Sequence, residues 1–305
     1  MSSTLTPPKF PSPESISGRR AAFRHLHESG LFIIPNPWDI GTARYLRSLG
    51  FKALATTSSG FAMSNGLPDA DWAVPRDAAL GHIRSIVASV DLPVNADFES
   101  GYAHSPADVA ANVRLCVATG VAGLSIEDAT GDPNHPHYDL SLATERIRAA
   151  KEAIGNSGVL LTARSECFLT GHPEPLRESL RRLEAYATAG ADVLYAPGAR
   201  TRPEIEAIVK VADPLPVNVL VTSSAPLSLP QLEQMGVRRV STGSALARAA
   251  WTGFIAAARG MAHEHTMAGL DHITSFDELN SFFRKDRAEL AIAEADSAPS
   301  AKPQG

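Results

Sequence analysis

Three carboxylates and one guanidinium occupy positions from which they could act together on one small anionic substrate. Asp97 and Glu99 are separated by a single residue, so their side chains share a face if the chain is extended there. Glu127 and Arg164 each end a short apolar run further along the chain. Carboxylates that face one another repel, and they remain ionised together only beside a cation. Oxygen ligands of this kind suit a hard divalent ion, Mg2+ or Mn2+, with water completing its coordination.

Arg164 suggests a second function for this group. Its planar guanidinium can bind a substrate carboxylate through two parallel hydrogen bonds. It could equally form an ion pair with Glu166 or Glu127, and the two roles are compatible. A single acid more often pairs with an arginine or caps a helix, but three acids in this pattern favour a metal site.

Two polar loops could complete such a site. Residues 57–60 (TSSG) offer hydroxyls and backbone N–H groups that can hold an oxyanion, although they could also form an ordinary turn. Residues 130–139 (TGDPNHPHYD) have the length and composition of a lid. Their closure would bring His135, His137 or Tyr138 to the substrate as the proton donor. The two histidines could also bind a metal, but His-Pro-His in such a loop is more often solvated.

Composition excludes several other classes of protein. The net charge is −5 and the charges are interspersed, which argues against a nucleic-acid surface. No apolar run reaches the length of a membrane span, and residues 1–13 do not resemble a signal peptide. The two cysteines, Cys116 and Cys167, imply no disulfide framework and have no evident base partner. We therefore expect a cytoplasmic protein that acts on a small molecule.

Eight apolar, β-branched runs of strand length recur along the chain. Each run is typical of a parallel strand buried on both faces rather than of a half-exposed strand with alternating polarity. The runs are Leu31–Ile34, Ala53–Thr56, Pro93–Asp97, Gly123–Glu127, Val159–Arg164, Asp192–Ala196, Val217–Val221 and Arg239–Thr242. Helical patterns lie between them, as at residues 108–118, 142–154 and 176–189, and several end at a glycine.

Eight consecutive βα units predict an α/β protein with either a closed barrel or a large open sheet. Because eight is the number of strands that closes, they favour a (β/α)8 barrel of the TIM type. Active sites of this fold lie at the carboxyl ends of the strands. Asp97, Glu127 and Arg164 stand at three adjacent strand ends, so the fold would bring them together.

The pattern changes after the eighth unit. The helix predicted over Ser244–Met261 is apolar nearly all round, which predicts burial in an oligomer, and Phe276–Ala293 predict a further helix. The chain thus divides into an N-terminal extension, a barrel domain, a C-terminal helical extension and a disordered tail, at residues 1–20, 21–262, 263–293 and 294–305.

Several motifs resemble those of the isocitrate lyase/phosphoenolpyruvate mutase superfamily, in its phosphonomutase-like and oxo-acid lyase branch. The resemblance runs from about Phe32 to Ala258 and is specific as a set. Its motifs are Asn36-Pro37-Trp38-Asp39, residues 55–60 (ATTSSG), residues 95–102 (NADFESGY), Ile126-Glu127-Asp128, residues 162–166 (TARSE), residues 189–192 (AGAD) and residues 235–239 (MGVRR).

This resemblance implies a Mg2+-dependent barrel that acts on 2-oxo or 2-hydroxy acids through an enolate-like intermediate. It also implies a homotetramer, built from two dimers that exchange their eighth helix. Ser59, Gly60 and the adjoining Phe61 would bind the substrate's carboxylate and oxo group, and Arg164 a carboxylate. The metal would be surrounded, largely through water, by Asp69, Asp97, Glu99 and Glu127.

Two departures from the superfamily pattern bear on the reaction. The second acid of the Asp-x-Asp motif is Glu99, which can still serve a water-mediated metal. The lyases' Lys-(Lys/Arg)-Cys-Gly-His motif and the mutases' Lys-x-Asn lid motif are both absent. This argues against isocitrate, methylisocitrate or phosphoenolpyruvate as the substrate.

The leading hypothesis is cleavage of a carbon–carbon bond, by a lyase or hydrolase reaction, in a small 2-hydroxy or 2-oxo di- or tricarboxylic acid. The alternative within enzymes is phosphonopyruvate-type chemistry, in which a mutase or hydrolase acts on a P–C bond. A lid without lysine or arginine favours the first, because a phosphoryl group needs cationic or N–H donors. A barrel that only binds an oxo acid is the alternative outside enzymes.

Overall fold

The computed structural model describes residues 9–69, 72–224 and 227–296 and contains all eight predicted strands. These are β1 Phe32–Ile34, β2 Leu54–Ala55, β3 Val94–Asp97, β4 Gly123–Glu127, β5 Leu160–Arg164, β6 Val193–Tyr195, β7 Val217–Leu220 and β8 Arg239–Ser241. The helices of the described residues are α1 Pro13–Leu26, α2 Ile40–Ser48, α3 Ser58–Ser64, α4 Arg76–Ser89, α5 Pro106–Ala118, α6 Leu140–Ile154, α7 Pro175–Thr188, α8 Arg202–Ala212, α9 Leu229–Gln234, α10 Ala245–Arg259 and α11 Phe276–Asp296.

The strands form one parallel sheet in the order β1-β8-β7-β6-β5-β4-β3-β2. The edge strands β1 and β2 meet through one backbone hydrogen bond of 3.1 Å, from Ala55 N–H to the Pro35 carbonyl. The Asn36 amide completes the closure: it donates to the Thr56 carbonyl at 2.9 Å and accepts the Gly243 N–H at 2.9 Å. The predicted (β/α)8 barrel is therefore confirmed.

The helices cover the barrel with the apolar faces that their periodicity predicts. Val109, Val113 and Cys116 of α5 are fully buried, so Cys116 is a core residue. Burial of each valine contributes roughly 1.5–3 kcal/mol relative to its exposure.

Helix α1 closes the amino-terminal end of the barrel. Phe23 is fully buried there against Gly123, where an added Cβ would lie 2.6 Å from the Phe23 ring. The Arg20 guanidinium donates to the carbonyls of Val117, Val121 and Ser157 at 2.9–3.0 Å. Such donors satisfy carbonyls that a helix leaves unpaired at its carboxyl end. The predicted boundary between residues 20 and 21 falls inside this helix.

The chain separates into two compact units at Arg248 and Ala249, within α10. Helices α10 and α11 confirm the two helices predicted after the eighth unit, and a π-helical turn, Gly260–Glu264, follows α10. Residues 1–8 of the predicted extension and 297–305 of the predicted tail lie outside the described residues. Among the helices of the described residues, none has the length and apolar character needed to cross a membrane.

Candidate active site

The carboxyl ends of β3, β4 and β5 bring Asp97, Glu127 and Arg164 together. Glu127 and Arg164 are direct partners in the β4–β5 register. Nη1 of Arg164 lies 3.3 Å from Glu127 Oε2 and 3.6 Å from Asp97 Oδ1. Nε of Arg164 donates to Glu166 Oε1. The ion pairs considered from the sequence are therefore present, and they hold the guanidinium in the middle of an acidic cluster.

Glu99 joins this cluster by a route that differs from the predicted one. β3 ends at Asp97, and Glu99 has a left-handed φ of 46°, so the expectation of two carboxylates on one extended face was wrong. The backbone turns there, and the Glu127 N–H donates to the Glu99 carbonyl at 3.0 Å. The Tyr102 hydroxyl donates to Glu99 Oε1 at 2.7 Å.

The segment after β2 is the first turn of α3 rather than a free loop. The Thr57 hydroxyl caps the helix by accepting the Gly60 N–H at 3.2 Å. Asp97 Oδ2 accepts two hydrogen bonds from Ser58, one from its backbone N–H and one from its hydroxyl, both at 3.0 Å. A Cβ on Gly60 would meet the Thr57 methyl at 2.7 Å, so only glycine packs there without adjustment.

The predicted substrate residues Ser59, Gly60 and Phe61 are thus placed on α3 beside Asp97. The Phe61 ring stacks on the His82 ring with centroids 3.9 Å apart. Asp69 also lies close to this turn: burial and repulsion from Asp97 raise the pKa of its carboxyl, and the nearby Ser58 and Ser59 act in the opposite direction. The sequence-predicted substrate and metal residues therefore adjoin one another.

Three carboxyl groups of the site, those of Glu99, Glu127 and Asp69, hold their protons more tightly than usual. Burial, together with repulsion from Asp97 and Asp69, raises the pKa of Glu99 to about 7 against the opposing Tyr102 hydrogen bond and Arg164. Burial also raises the pKa of Glu127 despite the adjacent Arg164, and the pKa of Asp69 is raised by desolvation and by Asp97. One guanidinium therefore does not balance the negative charge of the site.

This excess charge is the feature that fits a cation. Among the residues that the structure describes, no three Asp, Glu, His or Cys side chains are grouped closely enough to hold a metal ion by themselves. Mg2+ usually retains several waters and needs only one or two carboxylates in direct contact. The donor set of Asp69, Asp97, Glu99 and Glu127 therefore fits Mg2+ held largely through water, the arrangement that the resemblance implies.

The predicted lid is a pinned loop in this structure. Its base is closed by a bridge between Ala129 and His137 and by the Tyr138 N–H, which donates to the Asp128 carbonyl at 3.0 Å. The side chain of His135 is 83% exposed, and its Nδ1 lies 3.2 Å from Asp132 Oδ2. His135 is therefore exposed and paired within the loop.

The other two predicted donors are engaged outside the acidic cluster. Nε2 of His137 lies 2.7 Å from the Thr170 hydroxyl. Tyr138 is buried, its hydroxyl 2.7 Å from His104 Nδ1, and the Arg146 guanidinium lies over its ring. In this conformation the structure does not bring these side chains to Arg164.

Sequence reasoning missed two tyrosines at the mouth of the barrel. Tyr102 follows the acidic motif by three residues, and Tyr195 is the register partner of Arg164. The Arg164 guanidinium lies 5.4 Å from the Tyr195 ring centroid, and burial raises the pKa of Tyr195 to about 12. The rule that searches strand ends would have found Tyr195, which closes β6.

Comparisons with known proteins extend these observations. The sequence model of the phosphoenolpyruvate phosphomutase family matches residues 23–262. A solved structure from Burkholderia cenocepacia J2315, named as a lyase/mutase, is 45% identical with a TM-score of 0.84 and covers 88% of this chain and 98% of its own. A phosphonomutase structure from the same organism is 35% identical with a TM-score of 0.72, covering 80% and 98%. An uncharacterized protein of Mycobacterium tuberculosis is 33% identical over 224 residues, 73% of this chain and 82% of its own.

Proposed function

Since this chain belongs to the phosphoenolpyruvate phosphomutase family, within the phosphoenolpyruvate mutase/isocitrate lyase superfamily, we propose that it is a Mg2+-dependent carbon–carbon lyase or hydrolase. Its substrate would be a small 2-hydroxy or 2-oxo di- or tricarboxylic acid, cleaved to leave the enolate of a 2-oxo acid. Enzymes of this superfamily act on oxo acids as lyases, mutases or hydrolases. The chain is accordingly an enzyme, which removes the binding-only alternative.

The observation that carries this proposal is the position of Arg164 among Asp97, Glu127 and Glu166, at 18% side-chain exposure. A guanidinium at the carboxyl ends of barrel strands, in partial contact with solvent, is placed to receive a substrate carboxylate. The negative charge of the surrounding carboxylates exceeds the single positive charge of Arg164, so a divalent cation would neutralise the remainder.

Asp69, Asp97, Glu99 and Glu127 would hold Mg2+, which when bound stabilises the negative charge that develops on the substrate oxygens. Arg164 would orient the substrate by its carboxylate. Ser59 and Gly60 would offer N–H or hydroxyl donors to the oxo group, and Phe61 would border them. Because Ser58 is tied to Asp97, these donors and the acids are fixed relative to each other.

The proton that quenches the enolate would come from the lid. His135, His137 and Tyr138 are its candidates, and in this structure each has another partner or faces solvent. We therefore propose that the loop rearranges on substrate binding and excludes water while the bond breaks. A histidine is the better acid near neutral pH because its unperturbed pKa lies close to it.

Phosphonate chemistry remains the second candidate, because a 35%-identical structure is named as a phosphonomutase. The acids and Arg164 would serve a pyruvyl phosphonate as well. Residues 130–139 contain no lysine or arginine to neutralise a phosphoryl group, which favours carbon–carbon chemistry.

The test is a screen of malates, citrates, oxaloacetate and phosphonopyruvate with added Mg2+. Release of pyruvate or oxalate from a carboxylic acid, lost in Glu127→Gln, supports the proposal, and Glu184→Gln on the exposed face of α7 is the control. Phosphate release from phosphonopyruvate alone would favour the second candidate. No turnover across the whole panel would contradict both.

We also propose that the protein is a cytoplasmic homotetramer of helix-exchanging dimers. Helix α10 buries only Ala247, while Phe254 is 62% exposed and Ile255 42% exposed. An apolar helix left open to this extent is typical of an assembly surface. Both cysteines are unpaired and buried, which suits a reducing compartment.

A further inference from the structure

We infer that Asp128 is a positioning residue, which sets the orientation of Arg164 by holding Glu166. This inference rests on the proposed role of Arg164 as the carboxylate clamp. Asp128 directly follows β4, 3% exposed, and its side chain does not belong to the acidic cluster around Arg164. It faces instead the strand end that carries Arg164.

Asp128 and Glu166 are joined by a backbone contact. Oδ1 of Asp128 accepts the Glu166 N–H at 2.8 Å. Glu166 in turn accepts the Nε–H of Arg164 on its Oε1. The rotation of the guanidinium therefore depends on the Glu166 carboxylate, and the Glu166 backbone depends on Asp128.

The second carboxylate oxygen of Asp128 is also held by hydrogen bonds. Oδ2 accepts the Tyr186 hydroxyl at 2.6 Å and Nη1 of Arg182 at 3.0 Å, both from α7. Arg182 is also held by Glu178, whose Oε1 accepts its Nε–H at 2.7 Å. Three donors thus converge on one buried carboxylate, so it has a single arrangement that satisfies all of them.

The ion pair between Asp128 and Arg182 also anchors the lid. Nη1 of Arg182 donates to the Tyr138 carbonyl at 3.0 Å, and the Tyr138 N–H donates to the Asp128 carbonyl. Asp128 and Arg182 therefore connect the exit of the 130–139 loop to the strand end that bears Arg164. A movement of the lid and the orientation of the Arg164 guanidinium would therefore both depend on the ion pair between Asp128 and Arg182.

We call the contacts that lead from Asp128 through Glu166 to Arg164 the relay. The Asp128→Asn substitution tests the relay with little change in the shape of the side chain. An amide has one acceptor oxygen and one donor nitrogen, so it cannot accept from donors on both sides. The charged Arg182 donor should take the oxygen, because hydrogen bonds to charged groups are the stronger ones. The amide NH2 then faces the Glu166 N–H, and Glu166 loses its support.

Asp192 provides the matched control, because its side chain contacts the opposite end of β5. Its Oδ2 accepts the Leu161 N–H of β5 at 2.9 Å and the Lys151 ammonium at 2.7 Å. Asp192→Asn therefore breaks the same kind of contact, a carboxylate that holds a strand N–H and a cation, away from Arg164. A purely structural role for Asp128 would give the two variants the same phenotype.

The first measurement is the Nε–H resonance of Arg164 in arginine-labelled protein without ligand, assigned by its loss in Arg164→Lys. The chemical shift of this resonance should change in Asp128→Asn and Glu166→Gln and remain unchanged in Asp192→Asn. The second is oxalate affinity with Mg2+, by calorimetry. Asp128→Asn should weaken it about tenfold, and the double variant with Glu166→Gln should be no weaker than Glu166→Gln alone.

An unmoved Arg164 resonance in Asp128→Asn would overturn the inference, and so would additive effects in the double variant. If Arg164→Lys leaves oxalate affinity unchanged, the proposed clamp is wrong, while the resonance still decides the relay. Should Asp128→Asn fail to fold, Tyr186→Phe removes a single donor from Oδ2. It should move the Arg164 resonance in the same direction by less, and an unmoved resonance there would equally overturn the relay.

Discussion

Asp97 holds the first turn of α3 through Ser58, whose backbone N–H and hydroxyl both donate to Oδ2 at 3.0 Å. The backbone N–H of Asp97 donates in turn to the Thr56 hydroxyl at 2.9 Å. One carboxylate therefore joins the acidic cluster to the segment that carries Ser59 and Gly60. A change at Asp97 should affect metal and substrate together.

Asp97→Asn should weaken divalent metal binding. Titration of metal-free protein with Mn2+ should show one site in the wild type, with affinity about 10- to 100-fold lower in the variant. Asp91→Asn is the control, because Asp91 pairs with Arg47 on the surface. Equal Mn2+ affinity in wild type and Asp97→Asn would contradict the assignment.

Arg164→Lys should weaken the binding of substrate and oxalate more than it lowers kcat. The lysine keeps the charge but loses the planar fork, and hydrogen bonds between charged groups contribute roughly 1.5–3 kcal/mol. Oxalate affinity and steady-state kinetics measure the two effects separately. Arg177→Lys, at an exposed pair with Glu174, should change neither.

Replacement of the lid donor should lower kcat and leave oxalate affinity nearly intact. His135→Ala, His137→Ala and Tyr138→Phe each remove one candidate, and Thr170→Val frees His137 from its 2.7 Å partner without removing it. If the first three variants all retain full kcat, the lid supplies no acid.

The protein should lose stability as the pH falls, partly through His27. Burial, followed by the charge of Arg239, lowers the pKa of His27 to about 3, and its Nδ1 lies 2.8 Å from the Phe23 carbonyl as a donor. The unfolded state therefore binds the proton more readily, so stability is present above the unfolded pKa, near 6.5, and is lost as the pH falls towards about 3.

The free energy of unfolding in urea should fall by about 2 kcal/mol more in wild type than in His27→Gln between about pH 7.5 and about pH 5. Nε2 of His27 lies 3.5 Å from Nη1 of Arg239, and a glutamine can keep the contacts to Arg239 and to the Phe23 carbonyl without titrating. His82, whose pKa burial lowers to about 4, acts in the same direction in both proteins and cancels in the comparison. Parallel pH profiles would show that His27 does not contribute.

The protein should scatter light as an oligomer with a mass well above the 32.3 kDa of one chain. Phe254→Glu should dissociate it, because a carboxylate in an apolar interface loses its hydration. Leu49→Glu is the control, since Leu49 directly follows α2 and is 59% exposed. A monomeric wild type at micromolar concentration would refute the proposed assembly.

The sequence by itself determined the barrel and the position of its central acids. Short apolar runs such as Val159–Arg164, repeated between helical patterns, indicate parallel strands buried on both faces. Strand ends in this fold share one mouth, so Asp97, Glu127 and Arg164 had to meet there. Local pattern was sufficient because the backbone alone positions these residues.

Only the tertiary structure decided how the side chains pair. Glu99 reaches the cluster through a left-handed turn, and Tyr138 contacts His104, 34 residues away in the chain. Arg164 has the carboxylates of Asp97, Glu127 and Glu166 within reach, and Asp128 joins the Glu166 backbone to α7. Such contacts depend on distance, burial and competing partners at the same point in space, and none of these is encoded in the spacing of residues along one strand.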